Sequence, residues 1–122
     1  MRFSVQHAKD GRFDDKGLRS FFEYRDLGID AATDGRFHAQ VIRAKQACPE
    51  GTGRHTHSLD FQMVYVLRGW VEFEYEGQGR MRLEPGACVH QPPGIVHELV
   101  ACSDECELLE ITAPADFDTR DA

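Results

Sequence analysis

The chain has 122 residues, the length of one domain, and its 14 Lys and Arg residues are outnumbered by 21 Asp and Glu residues, for a formal net charge of -7. An acidic chain without a basic cluster is a poor candidate for binding nucleic acid or an anionic membrane surface. No apolar run approaches the roughly 18 residues of a membrane-spanning helix, and the first residues lack the apolar core of a signal peptide. These features predict a cytoplasmic protein with no nucleic-acid or membrane partner.

Short apolar segments alternate with turns along the chain. After a polar N-terminal region, the segments that read as strands are 21–29 (FFEYRDLGI), 37–44 (FHAQVIRA), 61–67 (FQMVYVL), 70–76 (WVEFEYE), 80–84 (RMRLE) and 106–112 (CELLEIT). Clusters of Gly, Pro and Asp separate them, and no helical period of useful length is present. The acidic tail 113–122 is predicted to trail off the domain. Many short strands at close spacing predict an all-β protein, either a closed barrel or a sandwich.

The segment 70–84 allows a hairpin to be registered residue by residue. With a loop at 77–79, the apolar pairs are Tyr75 with Met81 and Phe73 with Leu83, and the charged pairs are Glu76 with Arg80 and Glu74 with Arg82. The charged side of this hairpin is predicted to be a solvated outer face without a catalytic role.

The cysteines are predicted to be reduced, structural thiols at strand positions. They are Cys48, Cys88, Cys102 and Cys106, and no C-x-x-C motif is present among them. Few cysteines in a chain without a secretion signal fit free thiols better than a disulfide framework. A zinc–thiolate site is the second alternative.

Two histidines stand two positions apart in the stretch 53–69 (GRHTHSLDFQMVYVLRG). Side chains at i and i+2 of a strand share one face, so His55 and His57 project together, about 7 Å apart along the strand. Two imidazoles at that spacing can converge on one ion. An H-x-H pair alone does not distinguish a metal site from two polar residues on a solvated strand face.

A third histidine follows the turn in the stretch 86–97 (GACVHQPPGIVH). The H-x-H pair is followed by Gln62 and Gly69, and the second stretch has the spacing G-x5-P-x-G-x2-H, which ends at His97. Together the two stretches resemble the two sequence motifs of the cupin superfamily. Two departures are a Gln at position 62, where Glu is the usual ligand, and Ala101 where an Asn often follows the last His.

The resemblance implies a jelly-roll β-barrel, also called a double-stranded β-helix. It implies one cupin domain over residues 1–122, with the barrel core at about 36–112 and an N-terminal strand region at 1–35. By the same resemblance, His55, His57, Gln62 and His97 would hold one divalent metal ion inside the barrel mouth. Three neutral imidazoles and an amide oxygen suit Fe, Mn, Ni, Zn or Cu.

Several neighbouring residues are weighed as alternatives. The interval from His57 to Gln62 has odd parity, so a turn must reset the alternation there, and Asp60 in that turn is the rival ligand. Alternation predicts that Gln91 faces inward with Val89, and that His90 faces outward. Glu110 either faces the barrel interior, where a carboxylate near the metal is a candidate base, or lies on the outer face.

Fold alone does not determine function, and the cupin superfamily contains enzymes, storage proteins and sensing domains. The first hypothesis is a metal-dependent dioxygenase acting on a small anionic organic substrate, with the metal as a Lewis acid. An anion is favoured because the amide of Gln62 is uncharged and leaves the metal with a higher net charge. The alternatives are a non-catalytic cupin that binds or senses a small ligand, and a metal-dependent isomerase or lyase.

The apolar character of segment 21–29 also predicts a homodimer, because an exposed edge strand is usually more polar. The resemblance implies pairing through this N-terminal region, often with exchange of a strand. The alternative is a monomer in which the same strand folds back on its own barrel.

Overall fold

Most of the chain forms short β-strands, in which buried and more exposed side chains alternate. The structure is a computed structural model that describes residues 1–48 and 51–122. The strands are β1 Phe22–Asp26, β2 His38–Ala44, β3 His55–His57, β4 Phe61–Arg68, β5 Val71–Tyr75, β6 Gly79–Leu83, β7 Cys88–His90, β8 His97–Cys102, β9 Glu107–Ala113 and β10 Thr119–Asp121. A 3₁₀ turn at Ala8–Asp10 and a one-turn helix, α1, at Ile29–Ala32 are also present. None of the described helices is long and apolar enough to cross a membrane.

The strands form two antiparallel sheets that share one core. The first sheet has the order β1-β2-β9-β4-β7 and the second has the order β10-β3-β8-β5-β6. Side chains from both sheets, among them Val64, Val71 and Leu108, lie in the same buried cluster. Two facing antiparallel sheets are the architecture of a jelly roll, which confirms the predicted all-β barrel.

The inward-facing rows change from apolar to polar along two strands of the first sheet. On β4 the buried row runs from Val66 through Val64 to Gln62. On the neighbouring β9, Leu108 and Glu110 pair with Val66 and Val64. Because alternate side chains of a strand share a face, these polar groups point into the barrel next to the apolar core.

The N-terminal strand folds back on its own barrel. β1 pairs with β2 over its whole length, from Phe22 opposite Ala44 to Asp26 opposite Gln40. Phe22 and Tyr24 are buried in the core, so the apolar character of segment 21–29 is explained within one chain. Within this single chain, the strand takes the position that the intramolecular alternative predicted.

The prediction that the tail trails off the domain is wrong. Residues 119–121 form β10, which pairs with β3 and places Thr119 opposite His57. The last strand therefore covers the edge of the strand that carries the H-x-H pair. The pairing was missed because a three-residue strand with two charged side chains has no apolar periodicity to signal it.

The predicted hairpin register is also wrong, by two residues. Tyr75 pairs with Gly79, and Phe73 pairs with Met81, because the loop consists of residues 76–78 with Gly77 at φ +78°. A shift of two residues leaves every side chain on its predicted face. The charged side is solvent-facing, and Glu72 accepts hydrogen bonds from Arg80 and Arg82 there.

The cysteine prediction is wrong for two of the four residues. Cys48 and Cys102 form a disulfide, with their Cα atoms 5.2 Å apart, a separation within the ordinary range for such bonds. Cys88 and Cys106 are free. Sequence spacing does not show the pairing because 54 positions separate the two residues. Disulfides persist mainly in oxidising compartments, so the cysteines do not support the cytoplasmic prediction.

Candidate metal centre

Two strands of the second sheet bring three histidines together. β3 carries His55 and His57, and His97 begins β8 directly opposite His55. The three side chains are 5%, 8% and 4% exposed, and their ring centroids lie 4.4 to 5.0 Å apart. One nitrogen from each ring lies within 4.8 Å of the others. In the described parts of the chain this is the one group of His, Cys, Asp or Glu residues with such a geometry.

Hydrogen bonds to the backbone determine which nitrogen of two of these rings is available to a metal. His55 Nδ1 lies 2.7 Å from the Gly53 carbonyl oxygen, and His97 Nδ1 lies 3.0 Å from that of Ile95. A carbonyl oxygen only accepts, so both Nδ1 atoms carry the hydrogen and both Nε2 atoms keep a lone pair. Gly53 has φ +78°, a left-handed conformation that L side chains rarely adopt.

The third ring is held by the last strand. His57 Nδ1 lies 2.8 Å from the Thr119 hydroxyl oxygen, which can accept its hydrogen in the same way. A partner on the outer nitrogen is the usual arrangement of a metal-binding imidazole, because it sets the tautomer and the ring orientation. The strand β10, which sequence patterns did not reveal, therefore supports the site directly.

Burial keeps the three imidazoles neutral. Desolvation lowers the pKa of His55 and of His97 below the ordinary value of 6.5. It lowers the pKa of His57 to about 4, and the neighbouring His97 and His55 contribute to that shift. Neutral imidazole is the form that binds metal ions, so the site is prepared for a metal at neutral pH.

We expect acid to destabilise the metal-free protein through these groups. The unfolded chain has a histidine pKa near 6.5 and the folded pKa values are lower, so the unfolded state binds more protons between these values. The contribution of these histidines to the free energy of unfolding is therefore constant above pH 6.5. It falls between pH 6.5 and pH 4, by about 3 kcal/mol for His57 alone. Thermal unfolding measured from pH 8 to pH 4 should show a smaller decrease in Tm for His57→Gln than for wild type. Equal pH profiles in the two proteins would contradict the assignment.

Gln62 comes to the site from the opposite sheet. The turn between His57 and Gln62 carries the chain from β3 in one sheet to β4 in the other, which resets the alternation as the odd spacing required. Gln62 is 4% exposed and lines the same cavity as the histidines. Asp60, the rival ligand, is solvent-exposed and does not line that cavity.

A carboxylate inside the barrel orients this amide. Gln62 Nε2 donates to Glu110 Oε2 at 3.0 Å, and Gln40 Nε2 donates to Glu110 Oε1 at 3.0 Å. Because a carboxylate accepts and the amide oxygen of Gln62 cannot donate, the NH₂ end must face Glu110 and the carbonyl oxygen stays free as an acceptor. Of the two alternatives for Glu110, the interior one is correct.

The cavity that contains these groups has a volume of about 150 Å³. Its lining combines apolar side chains, among them Ile42, Val64 and Leu108, with the three histidines and several polar residues. Gln91 faces this cavity and is 2% exposed, whereas His90 is exposed and stacks on Phe61, so both predicted orientations are confirmed.

Arg19 also lines the cavity, with Nη2 3.5 Å from His55 Nε2. Sequence reasoning missed this residue because the N-terminal region that carries it has no motif or apolar period. Alternation gave no signal for Glu110 either, because Leu109 and Ile111 form the more apolar row of β9 and would place Glu110 outward.

The chain matches a known family of domains. The family model described as a cupin domain matches residues 47–112, more than half of the chain. The chain belongs to the cupin family. This confirms the resemblance stated from the two motifs.

Solved structures of other cupin-like proteins have the same fold. KdgF from Halomonas sp. is 20% identical with a TM-score of 0.74, and the alignment covers 92% of this chain and 94% of that one. The polyketide cyclase RemF from Streptomyces resistomycificus is 21% identical with a TM-score of 0.76, covering 98% and 85%. An RmlC-like cupin from Shewanella frigidimarina is 22% identical with a TM-score of 0.72, covering 91% and 90%. No curated protein matches the sequence significantly. At these identities the likeness shows the fold alone.

Proposed function

We propose that this cupin is an enzyme that binds one divalent transition metal ion through His55, His57, Gln62 and His97 and acts on a small organic anion. The observation that carries the proposal is the convergence of three buried imidazoles, two of which have Nδ1 committed to a backbone carbonyl. Such rings can offer only Nε2, and a hydrogen-bond partner on the other nitrogen is the usual arrangement of a metal-binding imidazole.

The donor set fits a borderline divalent metal. Three imidazole nitrogens and the amide oxygen that Glu110 leaves free are donors for Fe, Mn, Ni, Zn or Cu, and no thiolate is offered in the cavity. When bound, the metal would supply Lewis acidity toward the substrate. All four protein ligands are uncharged, so the ion keeps its full charge, and an anionic substrate is favoured.

The reaction class that we propose first is that of a dioxygenase. The cavity is small and much of its lining is apolar, so it suits a compact substrate held beside the polar groups. Glu110 already accepts one amide hydrogen bond on each oxygen, and its role in this proposal is to position Gln62. The reaction would then depend on the metal centre and not on a protein base.

A second candidate is a metal-dependent lyase or isomerase. The observation that favours it is the presence of one carboxylate, Glu110, among the residues that line the cavity, because such reactions need a proton acceptor. Similar folds include proteins described as a polyketide cyclase, a DMSP lyase from Ruegeria pomeroyi and an oxalate decarboxylase from Bacillus subtilis. A non-catalytic ligand-binding module is the remaining alternative.

Oxygen dependence separates these candidates. The metal-loaded protein would be incubated with a panel of small carboxylic acids and phenols, with oxygen uptake and substrate loss measured together. A dioxygenase consumes one O₂ per substrate and stops under argon. Turnover that continues under argon and falls in Glu110→Gln would favour the lyase or isomerase. Binding of panel members without turnover under either condition would favour the ligand-binding module.

We also propose a homodimer formed through the outer face of the first sheet. On β4 the outward residues Phe61, Tyr65 and Leu67 are 37%, 38% and 45% exposed. Tyr65 pairs with Leu109 of β9, which faces the same way, so the apolar face extends across two strands. A monomer rarely leaves such a face in water.

Light scattering should therefore give twice the 13.8 kDa mass of one chain at micromolar concentration. Tyr65→Lys combined with Leu67→Lys should give single chains, because two buried charges at an interface oppose association. Phe3→Lys, at an exposed apolar residue of the N-terminal region, should leave the dimer intact. A wild-type mass of one chain would contradict the proposal, and dissociation by Phe3→Lys alone would move the interface to the N-terminal region.

A further inference from the structure

One cation faces the candidate metal centre. Among the residues that line the cavity, Arg19 is the one Lys or Arg. Its guanidinium forms one side-chain hydrogen bond among the described residues, the 3.5 Å contact with His55 Nε2. Among the residues that the structure describes, the guanidinium has no carboxylate partner, because the ion pairs there involve other residues.

The backbone holds Arg19 in this position from both sides. Its N–H donates to the Tyr24 hydroxyl oxygen at 2.8 Å, and its carbonyl accepts from the Phe22 N–H at 3.2 Å. Gly17, two residues earlier, packs against the Tyr24 ring so closely that a Cβ would collide with it. Arg19 is therefore presented to the cavity by a segment anchored on β1.

The present partner of Arg19 is a poor match for a guanidinium. A guanidinium has five N–H donors in a planar fork, whereas His55 Nε2 offers one lone pair on a neutral ring. That same lone pair is the one a metal would take. With a metal in place, the guanidinium and the ion would be two neighbouring cations, and an anion between them would neutralise the repulsion and fill the fork.

The apolar part of the cavity lining restricts the rest of the ligand. It includes Phe22, Ile42 and Phe73, in a cavity of about 150 Å³. An apolar cavity of roughly this volume accommodates benzene. The other charged group, Glu110, is engaged by two amides and repels anions, so the carboxylate end of a ligand is directed toward Arg19.

We propose, on the basis of the proposed function, that Arg19 is the residue that selects the substrate by binding its carboxylate, and that the substrate is a small carboxylic acid with an apolar body. The guanidinium binds the carboxylate oxygens through its N–H fork, and the apolar side chains of the cavity pack against the body. Arg19 thereby determines both the charge of the substrate and the end that approaches the metal centre.

Calorimetric titration with benzoate and its uncharged isostere benzamide tests this role. Wild-type protein should bind benzoate at least about tenfold more tightly than benzamide, because charge-assisted hydrogen bonds are the stronger kind. Arg19→Gln should lose about 10- to 100-fold in benzoate affinity with little change for benzamide. Lys16→Gln removes the same charge from an exposed residue of the same segment and should bind benzoate as wild type does. Arg19→Lys keeps the charge without the fork and should be intermediate.

Each titration would be done with cobalt-loaded protein and with protein stripped by a chelator. A benzoate preference that depends on Arg19 in both forms supports the proposal even if the metal proposal fails. Arg19→Gln with wild-type benzoate affinity in both forms, or an equal loss in Lys16→Gln, would overturn it. Circular dichroism and thermal unfolding of each variant would verify that the barrel is intact, which is expected because the hydrogen bonds that anchor Arg19 are made by its backbone.

Discussion

Protein with His57→Ala is expected to contain less than about one tenth of the metal found in wild type, which should carry one ion per chain. His57 completes a triangle of rings, with centroids 4.8 Å from His55 and 5.0 Å from His97, and its removal leaves two imidazoles and an amide. Losing one of the three imidazole ligands removes a large share of the free energy of metal binding. Elemental analysis of protein purified without added metal measures the effect directly, and the affinity tag should contain no histidines.

The matched control for this variant is His90→Ala. His90 is an exposed histidine on β7 that stacks on Phe61 and takes no part in the cavity. Its removal should leave the metal content at one ion per chain. Wild-type protein without metal after growth in metal-rich medium, or His57→Ala with wild-type content, would refute the metal centre.

The variant Gln62→Glu is expected to be less stable than wild type without metal and to gain stability when metal is added. Gln62 donates an amide hydrogen to Glu110 at 3.0 Å, and a Glu in its place would set two carboxylates against each other. Loss of this hydrogen bond and the repulsion should cost about 2 kcal/mol, or roughly 5–10 °C in Tm. A bound metal would offset the cost, because the added negative charge attracts the cation.

The double variant Gln62→Glu with Glu110→Gln is the control for that result. It restores one amide and one carboxylate with their places exchanged, so the metal-free Tm should return close to the wild-type value. A single variant as stable as wild type, or a double variant as unstable as the single, would show that the pair does not couple.

Azide binding to the cobalt-loaded proteins, followed by visible spectroscopy, tests the charge argument separately. Gln62→Glu should bind azide more weakly than wild type because the net charge at the metal falls by one. Equal azide affinities would mean that the charge at position 62 does not reach the metal, and the preference for anionic substrates would then have to come from Arg19 alone.

The sequence by itself predicted the barrel and much of its candidate centre. Period-two alternation identified most of the strands, and the glycine and proline turns separated them. The H-x-H spacing and the turn before His97 identified three histidines that the structure brings together. These features depend on local rules, because side-chain direction along a strand and turn chemistry are set within a few residues.

Contacts between distant segments were decided by the tertiary structure. Pairing of distant strands places Thr119 on His57 and Glu110 on Gln62, across 62 and 48 positions of sequence. Packing of the N-terminal segment places Arg19 beside His55, across 36 positions. The Cys48–Cys102 disulfide is of the same kind. None of these partners follows from periodicity. The sequence of a short polar strand, or of an N-terminal segment without a motif, does not indicate which part of the protein it will contact. Which side chains share the cavity depends on sheet order and register, and these are selected by the whole core and not by any one segment.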